Sequence, residues 1–196
     1  MLEKFVENEY TSLSEEYNKS AQVKKVSLTF ESEKYFRDFK KTLETDRRGE
    51  VGFLTRRKNG KFIVIRSKKY PKGAFRIPTG GIDFSESVIH ALHREVKEEL
   101  GISFEIESFK GIIEYNFHYK DEILKFYSYL FVINEISGEL IKDATQDEIA
   151  DYLEVDDDGL LELLTTLESI SGGWRDWAYF RSELIKFYLA GGAIGE

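Results

Sequence analysis

Ile89, Leu92, Val96 and Leu100 recur at intervals of three, four and four residues, so they lie along one stripe of a helix of about four turns. Ser85 is placed to cap its N-terminus, and Asp83 with Glu86 has capping-box spacing. Gly101 suits the left-handed position just past the last turn, with Ile102 folding back toward Val96. Upstream, Leu2, Phe5 and Val6 hint at a short helix, and Val26, Leu28 and Phe30 alternate as in a strand. From Ser32, a cap, the spacing of Tyr35, Phe36, Phe39 and Leu43 predicts a helix over 32–44. Val51–Thr55 and Lys61–Arg66 flank Asn59-Gly60, which predicts a hairpin with a type I′ turn. Pro71 and Gly73 make Ser67–Arg76 a loop.

Beyond residue 102 the pattern is again strand-like. Segments 104–109 and 112–119 precede a long aromatic run at 123–134, with Lys120-Asp121-Glu122 turning the last two into a hairpin. An acidic connection, 138–148, leads into a strand at 149–155. Asp156-Asp157-Asp158 then caps a helix carrying Leu160, Leu161, Leu163, Leu164 and Leu167. Ser171-Gly172-Gly173 breaks it. A last helix at about 175–189 carries Trp177, Phe180, Leu184 and Phe187 at helical spacing, as core packing. Strands, a helix, more strands and a helix predict an α/β fold with a mixed sheet between helical layers.

Composition bounds this picture. A chain of 196 residues with 41% hydrophobic and 14% aromatic residues buries a proper core. There is no cysteine, which removes disulfides and thiolate zinc sites and fits a reducing compartment. With no apolar leader at the start and no long apolar run, the expectation is a cytoplasmic protein with no membrane segment. The net charge of −8 is unevenly spread. Residues 46–79 hold 11 Lys or Arg against 2 acids, and residues 138–163 hold 10 acids against one lysine. A basic arm on an acidic protein suits a small polyphosphate; a nucleic-acid partner is not expected from the overall balance.

The helical segment holds more than packing explains. Glu95, Glu98 and Glu99 stand at i, i+3 and i+4 and share one face. Arg94 and Lys97 are their neighbours in sequence and are expected to point elsewhere. Such hard oxygen ligands suit Mg²⁺, with Mn²⁺ as a second choice. From Gly80 through Glu86, Arg94, Glu95, Val96, Glu98, Glu99, Gly101 and Ile102, every position specified by the Nudix box, G-x5-E-x7-R-E-U-x-E-E-x-G-U with U aliphatic, is matched. The chain thus resembles the Nudix hydrolase family. Pro78-Thr79-Gly80-Gly81 replaces the Pro-Gly-Gly of many members.

The resemblance implies an α/β/α sandwich over about 48–168, with an appendage at 1–47 and a C-terminal helical extension at 169–196. The extra elements are expected to complete the core or a homodimer interface. It also implies Mg²⁺-dependent water attack on a diphosphate linkage, commonly in a nucleoside diphosphate derivative. Glu95, Glu98, Glu99 and the Gly80 carbonyl are then the expected metal ligands, with Glu86 and Arg94 as an orienting pair. Glu98 is the first candidate for general base and Glu148 the second, with Asp147 also considered. Arg66, Lys68, Lys69, Lys72 and Arg76 are the candidate phosphate-side cations. Tyr119 lies 17 residues past Ile102, similar to a tyrosine associated with diadenosine polyphosphate hydrolases. Tyr115, Phe117, Tyr127 and Tyr129 either stack on a base or fill the core. His93 borders the stripe and His90 faces away from the acids, both as structural residues. The competing reading is a catalytically silent nucleotide-binding or sensor protein on the same fold.

Overall fold

The computed structural model describes residues 2–141 and 149–192. Its frame is a seven-stranded mixed sheet in the order β1-β5-β6-β2-β3-β7, with β4 also paired to β2. The strands are β1 (Gln22–Thr29), β2 (Gly49–Arg56), β3 (Phe62–Arg66), β4 (Thr79–Ile82), β5 (Ile102–Tyr119), β6 (Glu122–Gly138) and β7 (Asp151–Val155). β1 runs parallel to β5 and β2 parallel to β6; the other pairings are antiparallel.

Alternation along the strands splits the core into two layers. Leu54, Phe62, Val64, Ile113, Tyr115 and Leu130 face one side. There they meet α2 (Glu33–Thr45), α4 (Asp157–Ser169) and α5 (Arg175–Gly192). Val51, Phe53, Ile63, Ile65, Tyr129 and Phe131 face the other, under α1 (Lys4–Tyr17) and α3 (Val88–Glu99). The result is the expected α/β/α sandwich. Tyr115, Phe117, Tyr127 and Tyr129 are all buried in it and fill the core. So do Trp177, Phe180, Leu184 and Phe187.

Several local expectations change. The first helix is longer than its opening residues suggest, because Val6, Tyr10, Leu13 and Tyr17 continue one stripe into the core. The 112–119 strand is not separate: 104–109 and 112–119 form one 18-residue strand, kinked at Gly111, whose φ is +129°. Gly111 is required there by its neighbour, since an added Cβ would lie 1.9 Å from the Gln22 carbonyl oxygen. The hairpin at 56–62 is not type I′, which needs positive φ at both central residues. Among the described non-glycine residues only Lys120 has positive φ, so Asn59 does not, and Gly60 alone turns left-handed at +83°. α2 begins as expected, with the Tyr35 N–H donating to the Ser32 hydroxyl, and α4 likewise at Asp156.

Candidate active site

α3 and the loop before it form the centre. The cap is Ser87, whose hydroxyl accepts from the His90 N–H, rather than Ser85. Asp83 to Glu86 instead close a turn of their own, the Glu86 N–H donating to the Asp83 carbonyl and the Asp83 N–H to the Glu86 carboxylate. That turn uses up the residues before the helix and pushes its start to Val88. Val88, Ala91, Leu92 and Val96 bury the inner face, and Gly101, at φ +71°, ends the helix as expected.

Arg94 ties this assembly together. Its Nε donates to Glu86 Oε1 at 3.0 Å and its Nη2 to Glu86 Oε2 at 2.8 Å, a two-pronged grip. Nη2 also donates to the Gly81 carbonyl at 2.8 Å, fixing the loop. Nη1 reaches Glu95 at 2.7 Å and Glu98 at 3.3 Å. Arg94 therefore does not point away from the acids: its long side chain folds back over two of them. Hydrogen bonding from Arg94 holds the Glu86 carboxyl down at about 2. His90 belongs to the same group, its Nδ1 lying 2.7 Å from Glu86 Oε1. His93 packs beside Phe104, with ring centroids 4.8 Å apart.

Glu95 is seated against Gly80. A Cβ on Gly80 would fall 1.8 Å from the Glu95 carboxyl carbon, so a larger residue there would displace the Glu95 side chain. Burial pushes the Glu95 carboxyl up, Arg94 opposes this, and the Glu98 charge adds to it. A buried carboxylate beside a second one is stabilised by any cation placed between them. Glu99 has one carboxylate oxygen 3.8 Å from Arg76 Nη2, and its backbone carbonyl accepts from the Tyr152 hydroxyl. Among the described residues, no three His, Asp or Glu side chains gather closely enough to hold a metal ion. The donor chemistry nevertheless fits a hard divalent cation, since Glu95 and Glu98 are oxygen donors on one helix edge and both meet Arg94 Nη1.

The other expected site residues are dispersed. Arg76 is buried and spends its guanidinium on the Ile77 carbonyl, the Thr79 hydroxyl and the Tyr70 hydroxyl. Arg66 pairs with Asp151 across β3 and β7. Lys68, Lys69 and Lys72 are exposed on the loop between β3 and β4. Tyr119 packs on Phe36 of α2, in the layer opposite α3. Glu148 and Asp147 lie outside the described residues. One arginine that the sequence reading did not single out joins the site, Arg48. It donates to the Glu86 carbonyl at 2.7 Å and to Glu9 of α1. It sits in the basic run, directly before a strand, which is the available signal.

The family profile of the NUDIX domain matches residues 46–172. The chain belongs to the NUDIX family. Among curated relatives, the RNA pyrophosphohydrolase of Ruthia magnifica subsp. Calyptogena magnifica is 43% identical over 58 residues, which is 30% of this chain and 31% of that protein. The ADP-ribose pyrophosphatase of Methanocaldococcus jannaschii is 34% identical over 84 residues, 42% of this chain and 48% of that protein. The chain thus spans less than half the length of either relative. The structure of a NUDIX hydrolase from Nitrosomonas europaea aligns with a TM-score of 0.51 at 20% identity, covering 74% of this chain and 90% of that one, a likeness of fold. No helix among the described residues is long and apolar enough to cross a membrane.

Proposed function

We propose that this NUDIX protein hydrolyses a diphosphate linkage in a nucleoside-diphosphate-linked substrate, with Mg²⁺ as cofactor. The observation that carries this reading is the box geometry: Arg94 clamps Glu86 and the Gly81 carbonyl and also bonds Glu95 and Glu98, with Glu95 seated against Gly80. Glu95, Glu98, Glu99 and the Gly80 carbonyl would hold the cation. The cation supplies charge neutralisation on the phosphates and acidifies a water. The chain's own part is positional. Arg94 fixes the carboxylates, Glu86 fixes Arg94, and Glu98, the most exposed of the three box acids, is placed to accept a proton from the attacking water. The exposed lysines at 68, 69 and 72 lend a positive field to the approach of a polyphosphate.

The test is hydrolysis with and without Mg²⁺ across ADP-ribose, dinucleoside polyphosphates, nucleotide sugars and a short 5′-triphosphorylated RNA. The first and last arms follow the names of the two partial relatives. Metal-dependent release of a phosphorylated product from at least one compound is expected; none from any would overturn the reading. The competing reading is a nucleotide-binding protein without turnover on the same fold. Saturable nucleotide binding with no product would support it.

A further inference from the structure

A cavity of about 180 Å³ lies between the N-terminal and C-terminal extensions, walled by Lys34, Tyr35 and Asp38 of α2 and by Trp174 and Trp177 at the start of α5. Every residue lining it falls outside the profile match at 46–172, so the family signature does not build this pocket. Buried Asp176 ties the two walls together. One of its carboxylate oxygens accepts from the Glu31 and Ser32 N–H groups at 3.0 and 2.8 Å. The start of α2 is thereby pinned to the first turn of α5.

The lining is mainly aromatic. Trp174 and Trp177 stand nearly perpendicular, with ring centroids 5.6 Å apart at 84°. Tyr70, from the loop between β3 and β4, braces both, at 5.9 Å and 4.3 Å. Trp174 nevertheless stays 38% exposed, so part of a firmly held ring is offered to solvent. On the rim Lys34 and Asp38 pair at 2.5 Å, which leaves a donor and an acceptor but no net charge. A free ammonium or a free anion gains little from such a rim. A neutral planar ring with polar edges gains both stacking and hydrogen bonds. The loop that carries Tyr70 also carries the exposed Lys68, Lys69 and Lys72, a positive field for a phosphate attached to that ring. The space suits one ring system and not a whole nucleotide, being under the roughly 300 Å³ at which sites for larger ligands begin.

We propose that this pocket is a ligand site apart from the box, taking the base of a nucleotide stacked on Trp174 with its polar edge at Lys34 and Asp38. Its buried wall, Trp177 with Tyr35 and Tyr70, belongs to the layer opposite α3. The proposal stands whether or not the box hydrolyses anything.

Trp174 and Trp177 are the chain's two tryptophans, so tryptophan fluorescence reports on this pocket. The full chain is titrated with AMP, GMP, CMP and UMP, with ribose 5-phosphate as the base-free control. At least one mononucleotide is expected to quench saturably, and ribose 5-phosphate is not. Trp174→Ala should weaken calorimetric binding of that nucleotide about 5- to 100-fold, and Trp174→Phe, which keeps a ring, should restore most of it. Thermal unfolding checks that both variants fold. With a substrate in hand, an unchanged KM in Trp174→Ala assigns the base to a separate nucleotide, and a raised KM assigns it to the far end of the substrate; the site stands in both cases. No saturable response to any mononucleotide overturns the proposal. Equal nucleotide affinity in wild type and Trp174→Ala, or equal affinity for ribose 5-phosphate, overturns it too. Trp174-dependent binding with no turnover of any substrate would instead sink the hydrolase reading alone.

Discussion

Arg94 and Arg181 both hold carboxylates, on opposite faces of the sheet, and their surroundings differ in charge count. Arg181 of α5 meets Glu50 at 2.9 Å, and Ser128 donates to the other oxygen of that carboxylate at 2.7 Å. One positive charge faces one negative charge in a closed interior. Arg94 faces Glu86, Glu95 and Glu98 together, and the last of these is 59% exposed. One positive charge there faces three negative ones at the edge of solvent. Matched charge under cover stabilises one packing arrangement. Excess acid at an accessible edge leaves electrostatic work for a further cation to do. An ion pair alone does not mark a site; the surplus does.

The sharpest way to break this contrast is on the closed side. Arg181→Met leaves Glu50 buried and unpaired, and should cost about 3–5 kcal/mol in urea unfolding while leaving turnover per folded molecule unchanged. A loss near zero would mean that the pair is not closed off. On the open side, Glu98→Gln should lower kcat by at least about 10²-fold with little change in stability, because its carboxylate is largely solvated. Full activity in that variant removes Glu98 as base or ligand.

The smallest effect concerns Glu86. Its folded carboxyl sits at about 2 against an ordinary 4.5, so the unfolded chain binds the proton more readily. The stabilisation is therefore present above pH 4.5 and drains away as pH falls from there toward 2. Its size is on the order of 1–2 kcal/mol, reduced by solvent around the partly exposed Arg94. Glu86→Gln should flatten that part of the stability–pH curve. An unchanged slope would show that Arg94 does not bind the charged form more strongly.

Local rules carried the sequence reading where neighbours along the chain decide the outcome. The stripe of α3, the Ser32 and Asp156 caps, the Gly101 terminus and the 120–121 turn all depend on contacts within a few residues. The Ser85 cap failed for a reason of the same range: two serines two apart compete, and the turn at Asp83–Glu86 decides between them. What the sequence could not reveal is contact across distance. Arg181 finds Glu50 from 131 positions away, and Arg47 finds Gly81 through the pairing of β2 with β4. Arg76, the last cation of the basic run, turns inward because Thr79, Ile77 and Tyr70 all offer it oxygens. Tyr119 has the right spacing along the chain, but the sheet carries it into the α2 layer.

Glu9 of α1 grips Arg48 with both carboxylate oxygens, accepts the Tyr129 hydroxyl at 2.5 Å, and through Arg48 reaches the Glu86 carbonyl. The family profile begins at residue 46. The signature motif is therefore braced by a residue that lies outside the matched profile altogether, 37 positions before its start. Two members with identical boxes but different leading helices would tension this loop differently, and a drift in the first ten residues could retune it without touching a single diagnostic position.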